Sequence, residues 1–253
     1  MRNIKLVLAY DGTGYAGWQR QLGQPTIQQI MEEAIARLTK TPVTLHGAGR
    51  TDAGVHAEGM VANFQTESAI PLAGLVKGLN SMLPEAIRVL DAERVANDFH
   101  ARYNATGKVY EYTFMTTKIM PPCSRLYAVQ VRGPFACAAV RLCLPMLIGT
   151  HDFSSFEGAG SRDLSIAGGR GAVRTIFAAD LVEEGTDSMV YRLTLSGDGF
   201  LRHMVRNIVG TLFAVGRGRL TPLDFQGIVA ARDRSLAGAT ALAKGLTLKT
   251  VLY

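Results

Sequence analysis

No stretch of the chain stays apolar for the ~18 residues that a bilayer-spanning helix needs, so no membrane span is expected. Cysteine is scarce as well. Cys123, Cys137 and Cys143 are odd in number and form no CxxC pair, which argues against both a disulfide framework and a thiolate zinc site. The five histidines, at 46, 56, 100, 151 and 203, are scattered without HExxH or comparable spacing, and no metal is expected. No GxSxG supplies a serine elbow, and in GAGRTDAG an Asp stands where a dinucleotide-binding GxGxxG needs its third Gly. No cofactor is expected. The opening MRNIKLVLAYDG reads as a strand and a turn rather than a secretory leader, so the expected location is the cytoplasm.

Acidic residues are outnumbered, 21 against 27 Lys and Arg, and the net charge of +6 favours a polyanionic partner through counterion release. With 253 residues, 47% of them hydrophobic, the chain can bury a sizeable core as one large domain or two ordinary ones.

Strands and helices alternate. Ile4, Leu6, Leu8 and Tyr10 recur with period two and end at the turn formers Asp11 and Gly12. Thr26 and Gln29 fit a capping box ahead of a stripe of Ile27, Ile30, Met31, Ala34, Ile35 and Leu38. A second amphipathic helix is expected near 71–82 and strands at 87–95 and from Val109. The polar stretch 96–107 is the best crossing between two halves, placed as 1–104 and 105–253. In the second half the pattern predicts a helix over 134–148 and strands over 173–183 and 189–197. It predicts a helix from about 200 with Arg202 and Arg206 one turn apart, a helix begun by Thr221 and Pro222, and a closing strand. The Gly-rich segment 157–172, with Arg162 and Arg170, has neither period; it is a loop that either closes over a polyanionic partner or merely faces solvent.

The most informative stretch is GRTDAGVHA at 49–57, a single carboxylate, Asp52, among small turn-forming residues with Arg50 two positions earlier. Gly47, Gly49 and Gly54 permit tight turns and positive φ, placing Asp52 on an exposed bend. A carboxylate held ionised by an arginine can serve as nucleophile or base, and it can equally be an Asx-turn residue that satisfies backbone N–H groups.

GAGRTDAGVHA, with YDGTGYAGWQRQ at 10–21 before it and FHARYNATGKVYEY at 99–112 after it, resembles the TruA family of tRNA pseudouridine synthases. HDFSSF at 151–156, FLRHMVRNIVGTL at 200–212 and KGLTL at 244–248 follow in that family's order, so the resemblance spans nearly the whole chain. It implies an α/β (α+β) fold of two similar subdomains with mostly antiparallel mixed sheets flanked by helices and a catalytic cleft between them. It further implies isomerisation of uridine to pseudouridine at positions 38, 39 and 40 of the tRNA anticodon stem-loop, without cofactor or metal, by a homodimer. Asp52 takes the place of the catalytic Asp, acting at ribose C1′ as nucleophile or at C2′ as base. Tyr110, in KVYEY, takes the place of the Tyr that stacks on the target uracil, and Arg206 that of the basic residue paired with the Asp. Tyr110 and Tyr112 would face the same side of a strand and could instead be a core aromatic pair.

Among substrate-binding residues the resemblance places Leu248 as an apolar wall, while Arg50 in GRTD is read as contacting a phosphate or helping to displace the target base. Gln19 and Arg20, beside the single Trp18, could touch RNA or face solvent. Arg202 is read as facing the cleft. The chain departs from the family where GMVANF, with Met60 and Asn63, stands for GQVAHF, and where ARYNA stands for ARFSA. Two rivals remain: a noncatalytic RNA-binding module on a similar sheet, and a nucleoside or glycoside hydrolase working through Asp52, which lacks an obvious partner acid.

Overall fold

The computed structural model describes residues 1–158, 170–184 and 189–253. Most of the Gly-rich segment 157–172, Arg162 included, and the turn at 185–188 lie outside the described residues. In chain order the regular elements begin with β1 (Arg2–Tyr10), α1 (Ile27–Thr39), β2 (His46–Gly47), β3 (His56–Thr66), α2 (Leu72–Met82) and β4 (Ile87–Val95). They continue with β5 (Gly107–Met115), β6 (Val129–Gln130), α3 (Cys137–Cys143), β7 (Gly149–Asp152), β8 (Val173–Glu184) and β9 (Val190–Gly197). The last are α4 (Met204–Gly216), α5 (Pro222–Ala231) and β10 (Leu246–Leu252). The class is mixed α/β, as expected from the sequence, with most strand pairs antiparallel. Two compact units form: Met1–Lys108 together with Thr247–Tyr253, and Val109–Leu246. The sequence places the closing strand in the second half, whereas its residues from Thr247 return to the first unit.

In the first unit the strands run β4-β1-β3-β10, with β2 alongside β3. Ile4, Leu6, Leu8 and Tyr10 are buried on β1, as their alternation predicts. β3 carries no such signal, because it runs inside the sheet, with β1 on one side and β10 on the other, and nine of its eleven residues are buried. The stripe of α1 packs inward through Ile27, Met31, Ala34 and Ile35, with Ile30 and Leu38 at its margin. The capping box expected at its start does not form. Thr26 is the N-cap but is wholly buried with its hydroxyl lacking a partner, while the Gln29 amide donates to Glu33 one turn on. Packing of the residue outweighs its capping preference.

In the second unit the strands run β5-β9-β8-β7, with β6 parallel to β5. Phe114 stacks on Tyr191 at 5.1 Å and meets Phe135 and Phe213 edge-on, an aromatic core beneath α4. The helix expected over 134–148 is shorter. α3 gives way to a 3-10 turn at Leu144–Leu147, where Pro145 has no N–H to donate and disfavours α geometry in the residue before it. α5 starts as predicted: the Thr221 hydroxyl accepts from the Asp224 N–H at 3.1 Å, and Asp224 accepts from the Thr221 N–H at 2.8 Å. No helix of the described residues is long and apolar enough to cross a membrane.

Candidate active site

Asp52 sits in the 48–55 loop that joins β2 to β3. The loop is pinned at its start by the Ala48 N–H, which donates to Val61 at 2.8 Å. Near its end the Val55 N–H closes a turn onto the Asp52 carbonyl at 3.1 Å. Its outer wall is the 11–18 loop that follows β1. The Trp18 N–H donates to the Thr51 carbonyl at 3.0 Å, the Gly54 N–H to Tyr15 at 3.3 Å, and the hydroxyls of Tyr10 and Thr51 meet at 2.8 Å.

Two glycines make this docking possible. A Cβ on Gly12 would lie 2.1 Å from the Val55 carbonyl oxygen, and one on Gly17, whose φ is +92°, would lie 2.5 Å from that of Thr51. No side chain fits in either gap, so YDGTGYAGW and GAGRTDAGV are two halves of one interlocked structure. Of the glycines inside the Asp52 motif, Gly54 alone takes positive φ, at 76°. Gly47 and Gly49 instead make room, the first for the Trp18 ring and the second for the Lys108 side chain. Trp18 is 2% exposed and anchors the first loop in the core. Asp52 is half-buried rather than on a fully exposed bend, whereas Arg50 beside it is exposed.

The other first-unit candidates vary in how far they are committed. The Gln19 amide donates to Gln28 at 3.0 Å, and Arg20 pairs with Glu32 at 3.2 Å while keeping most of its side chain in solvent. Both therefore brace the loop against α1. Leu248 is 1% exposed and lies in parallel register with Ala57, at the start of β3. The sequence reading missed Lys108. Its side chain runs over Gly49, so that a Cβ there would be 3.3 Å from Nζ, which brings a cation to the Asp52 loop. Its place two residues before Tyr110 in KVYEY was the available signal.

In the second unit Tyr110 lies on β5, 8% exposed, with its ring edge-on to Phe200 at 5.1 Å. Tyr112, two positions on, belongs to the core. It is fully buried and its hydroxyl donates to the Leu242 carbonyl at 2.8 Å; burial pushes its phenol well above the usual range, partly opposed by the charge of Arg206. Arg206 is half-buried in the first turn of α4. Its Nε donates to the Ala241 carbonyl at 2.8 Å, and its own carbonyl accepts from the Ala241 N–H at 3.0 Å. Arg202 does not share that helix. His203 takes a left-handed conformation, φ 61°, and delays α4 to Met204, so Arg202 is left exposed in the preceding turn.

A second missed group holds Arg206 in place. Asn207, wholly buried in the apolar stripe of α4, donates to the Phe156 carbonyl at 2.8 Å and accepts from Thr240 at 2.6 Å and Arg234 at 3.1 Å. One turn on, a Cβ on Gly210 would strike the Ala239 carbonyl oxygen at 1.7 Å. The 234–241 segment is thus clamped along α4 from Arg206 to Gly210. A polar residue inside MVRNIVGTL was the legible hint.

Among the described residues no group of three or more His, Cys, Asp or Glu is arranged to hold a metal ion.

Residues 6–104 and 144–253 match the family model described as tRNA pseudouridine synthase. Curated relatives match along their whole length. The chain is 49% identical over 253 residues to "tRNA pseudouridine synthase A 1" of Desulfotalea psychrophila, with all of both chains covered. It is 45% identical to "tRNA pseudouridine synthase A" of Geobacter sulfurreducens and 44% identical to that of Clostridium kluyveri, again with both chains covered in full. The motifs that build the Asp52 loop and the Arg206 helix fall inside the matched residues, and the chain belongs to the tRNA pseudouridine synthase family.

Proposed function

We propose that the protein isomerises uridine to pseudouridine in tRNA, at positions 38, 39 and 40 of the anticodon stem-loop, with Asp52 as the group that acts on the sugar. The observation that carries the reading is the interlock of the 11–18 and 48–55 loops, which fixes one half-buried carboxylate on a rigid bend. A site of that kind suits chemistry at a single carbon, where positioning supplies much of the rate.

The reaction breaks the bond between C1′ and uracil N1, turns the base and joins C1′ to C5, which then loses its proton. Nothing is gained or lost overall, so neither redox nor nucleotide cofactor enters the balance. As the bond breaks, positive charge grows at C1′. An Asp52 oxygen either bonds to C1′ as an ester or removes a C2′ proton to give a glycal, and in both routes its negative charge stabilises the departing state. Arg206, held at Nε by Ala241, supplies a guanidinium that keeps a reacting carboxylate ionised.

Reaching C1′ requires the nucleotide to be flipped out at a cost of about a few kcal/mol, and a stacking surface offsets it. Tyr110 is that surface, its ring fixed by Phe200, and its hydroxyl assists loss of the C5 proton. Arg50 and Arg202, both exposed, serve phosphates; Leu248 provides an apolar wall; Gln19 and Arg20 act mainly by bracing the loop. The enzyme acts in the cytoplasm as a homodimer.

The test is tritium release from tRNA transcripts labelled at uracil C5, with the modified positions mapped. Wild type should release label from the anticodon arm and Asp52→Asn should not. Tight tRNA binding with no release by wild type would point to a binding module instead, and free uracil would point to a hydrolase.

A further inference from the structure

The turn at 96–104, between β4 and β5, is held from inside by buried polar side chains, while the Tyr103 ring and the Arg102 guanidinium stand on its outer side. Asn3 donates to the carbonyls of Ala96, at 3.0 Å, and Phe99, at 2.8 Å. Asn63 accepts from the Ala101 N–H at 2.8 Å and donates to Asn3 at 3.0 Å, and the Tyr253 hydroxyl donates to the Ala101 carbonyl at 2.7 Å. Asn3, Asn63 and Ala101 are essentially fully buried.

Three side chains point outward from this scaffold. The Tyr103 ring, 77% exposed, lies against His100 with centroids 4.3 Å apart. His100 in turn lies against His46 at 4.9 Å, and the Arg102 guanidinium stands 6.0 Å from the Tyr103 centroid. The His100 ring is itself oriented, because its Nδ1 accepts the Arg102 backbone N–H at 3.1 Å. His46 belongs to β2, in register with Asn63, at the head of the loop that carries Asp52.

A large ring left in water beside a cation, on a backbone fixed by several buried hydrogen bonds, is an expensive arrangement for a surface without a partner. Flat π faces next to a guanidinium fit unpaired nucleobases, whose phosphates the cation meets, and such stacks tolerate any base. We propose that Tyr103, His100 and His46, with Arg102, form a stacking ledge that receives an unpaired nucleobase of the tRNA substrate, apart from the nucleotide being isomerised. This deepens the tRNA reading above and rests on it. It would hold the RNA in register while the target uridine is turned.

The experiment measures binding of a tRNA transcript and of an eight-nucleotide oligouridylate to wild type, Tyr103→Ala, Tyr103→Trp and Arg102→Ala, with tritium release measured on the same wild-type preparation. Loss of one base–aromatic stack weakens binding roughly tenfold, and the expected result is such a loss on both probes for Tyr103→Ala with recovery in Tyr103→Trp. The dependence of affinity on salt should keep its slope in Tyr103→Ala and lose about one unit in Arg102→Ala. Release of label by wild type with unchanged binding by Tyr103→Ala overturns the ledge and leaves the enzyme reading standing. Binding that depends on Tyr103 without release of label supports the ledge and overturns the enzyme reading, and failure of wild type to bind either RNA overturns the ledge.

Discussion

Replacing Asn63 by Leu tests whether the first unit depends on the buried amide pair. Leu has nearly the same shape as Asn, so the change removes hydrogen bonds without opening a large cavity. It leaves the Ala101 N–H and the Asn3 Oδ1 without the partners they have at 2.8 and 3.0 Å. The Phe99 carbonyl keeps its bond from Asn3. Two buried groups at about 1–3 kcal/mol each, less about 1 kcal/mol for the added apolar surface, give a loss of about 1–5 kcal/mol. Trp18, the only tryptophan and 2% exposed, sits in the same unit and reports its unfolding by fluorescence. At a urea slope of about 2 kcal/mol/M the midpoint should fall by about 0.5–2.5 M with the slope unchanged. Asn63→Asp sharpens the test. It keeps the acceptor for Ala101 but sets a carboxylate against the Asn3 oxygen, so it should be at least as harmful at neutral pH and recover on acidification, when the protonated acid can donate. A midpoint for Asn63→Leu within about 0.3 M of wild type, or an Asn63→Asp protein that weakens further in acid, would refute the account.

Gly17→Ala puts a Cβ 2.5 Å from the Thr51 carbonyl oxygen at a positive φ. The Asp52 loop must move, and turnover should fall about 100-fold while tRNA affinity changes little; undiminished turnover would mean that this packing does not position the carboxylate. Tyr112→Phe removes a hydroxyl that donates to Leu242 and should cost about 1 kcal/mol of stability with turnover retained. Tyr110→Phe should instead lose turnover more than RNA affinity, and equal behaviour of the two variants would contradict the separate roles. Arg206→Lys should lose most activity because an ammonium cannot both bond Ala241 and present a planar fork, and full activity in that variant would remove the role given to the guanidinium. Burial pushes the Cys143 thiol up to about 11 from 9.0. The unfolded chain therefore releases that proton first, and the thermal midpoint should decline as pH rises from about 9 toward 11, with buried Tyr112 and Tyr191 adding to the decline at the upper end. Cys143→Ala should flatten its onset; equal onsets in both proteins would exclude the thiol as the cause.

The parts of the molecule that were legible in the sequence are those where one physical effect acts alone. β1 shows its alternation because one face meets the core, and α5 shows its start because the Thr221 and Asp224 cap is local. β3 hides, since burial at nearly every position leaves no period to read, and α1 loses its expected cap because Thr26 is drawn into the core. The same division runs through the site. The candidates Asp52, Tyr110 and Arg206 could be named because their motifs are contiguous, but the loops and segments around the candidate side chains are fixed by residues distant in sequence. Gly17 faces Thr51, Asn207 faces Thr240, and Asn63 faces Ala101.

Those three contacts share a form: a buried polar atom or a missing Cβ fixes the backbone of a neighbouring loop, and a candidate or exposed side chain stands on or beside that loop. For Gly17 the loop carries Asp52, and for Asn207 it clamps the segment that holds Arg206. For Asn63 the loop carries Tyr103, whose ring has no other evident purpose. If the scaffold is built alike in all three places, the third loop was built for a ligand too, and the cheapest discriminating observation is whether Tyr103→Trp binds RNA as wild type does while Tyr103→Ala does not.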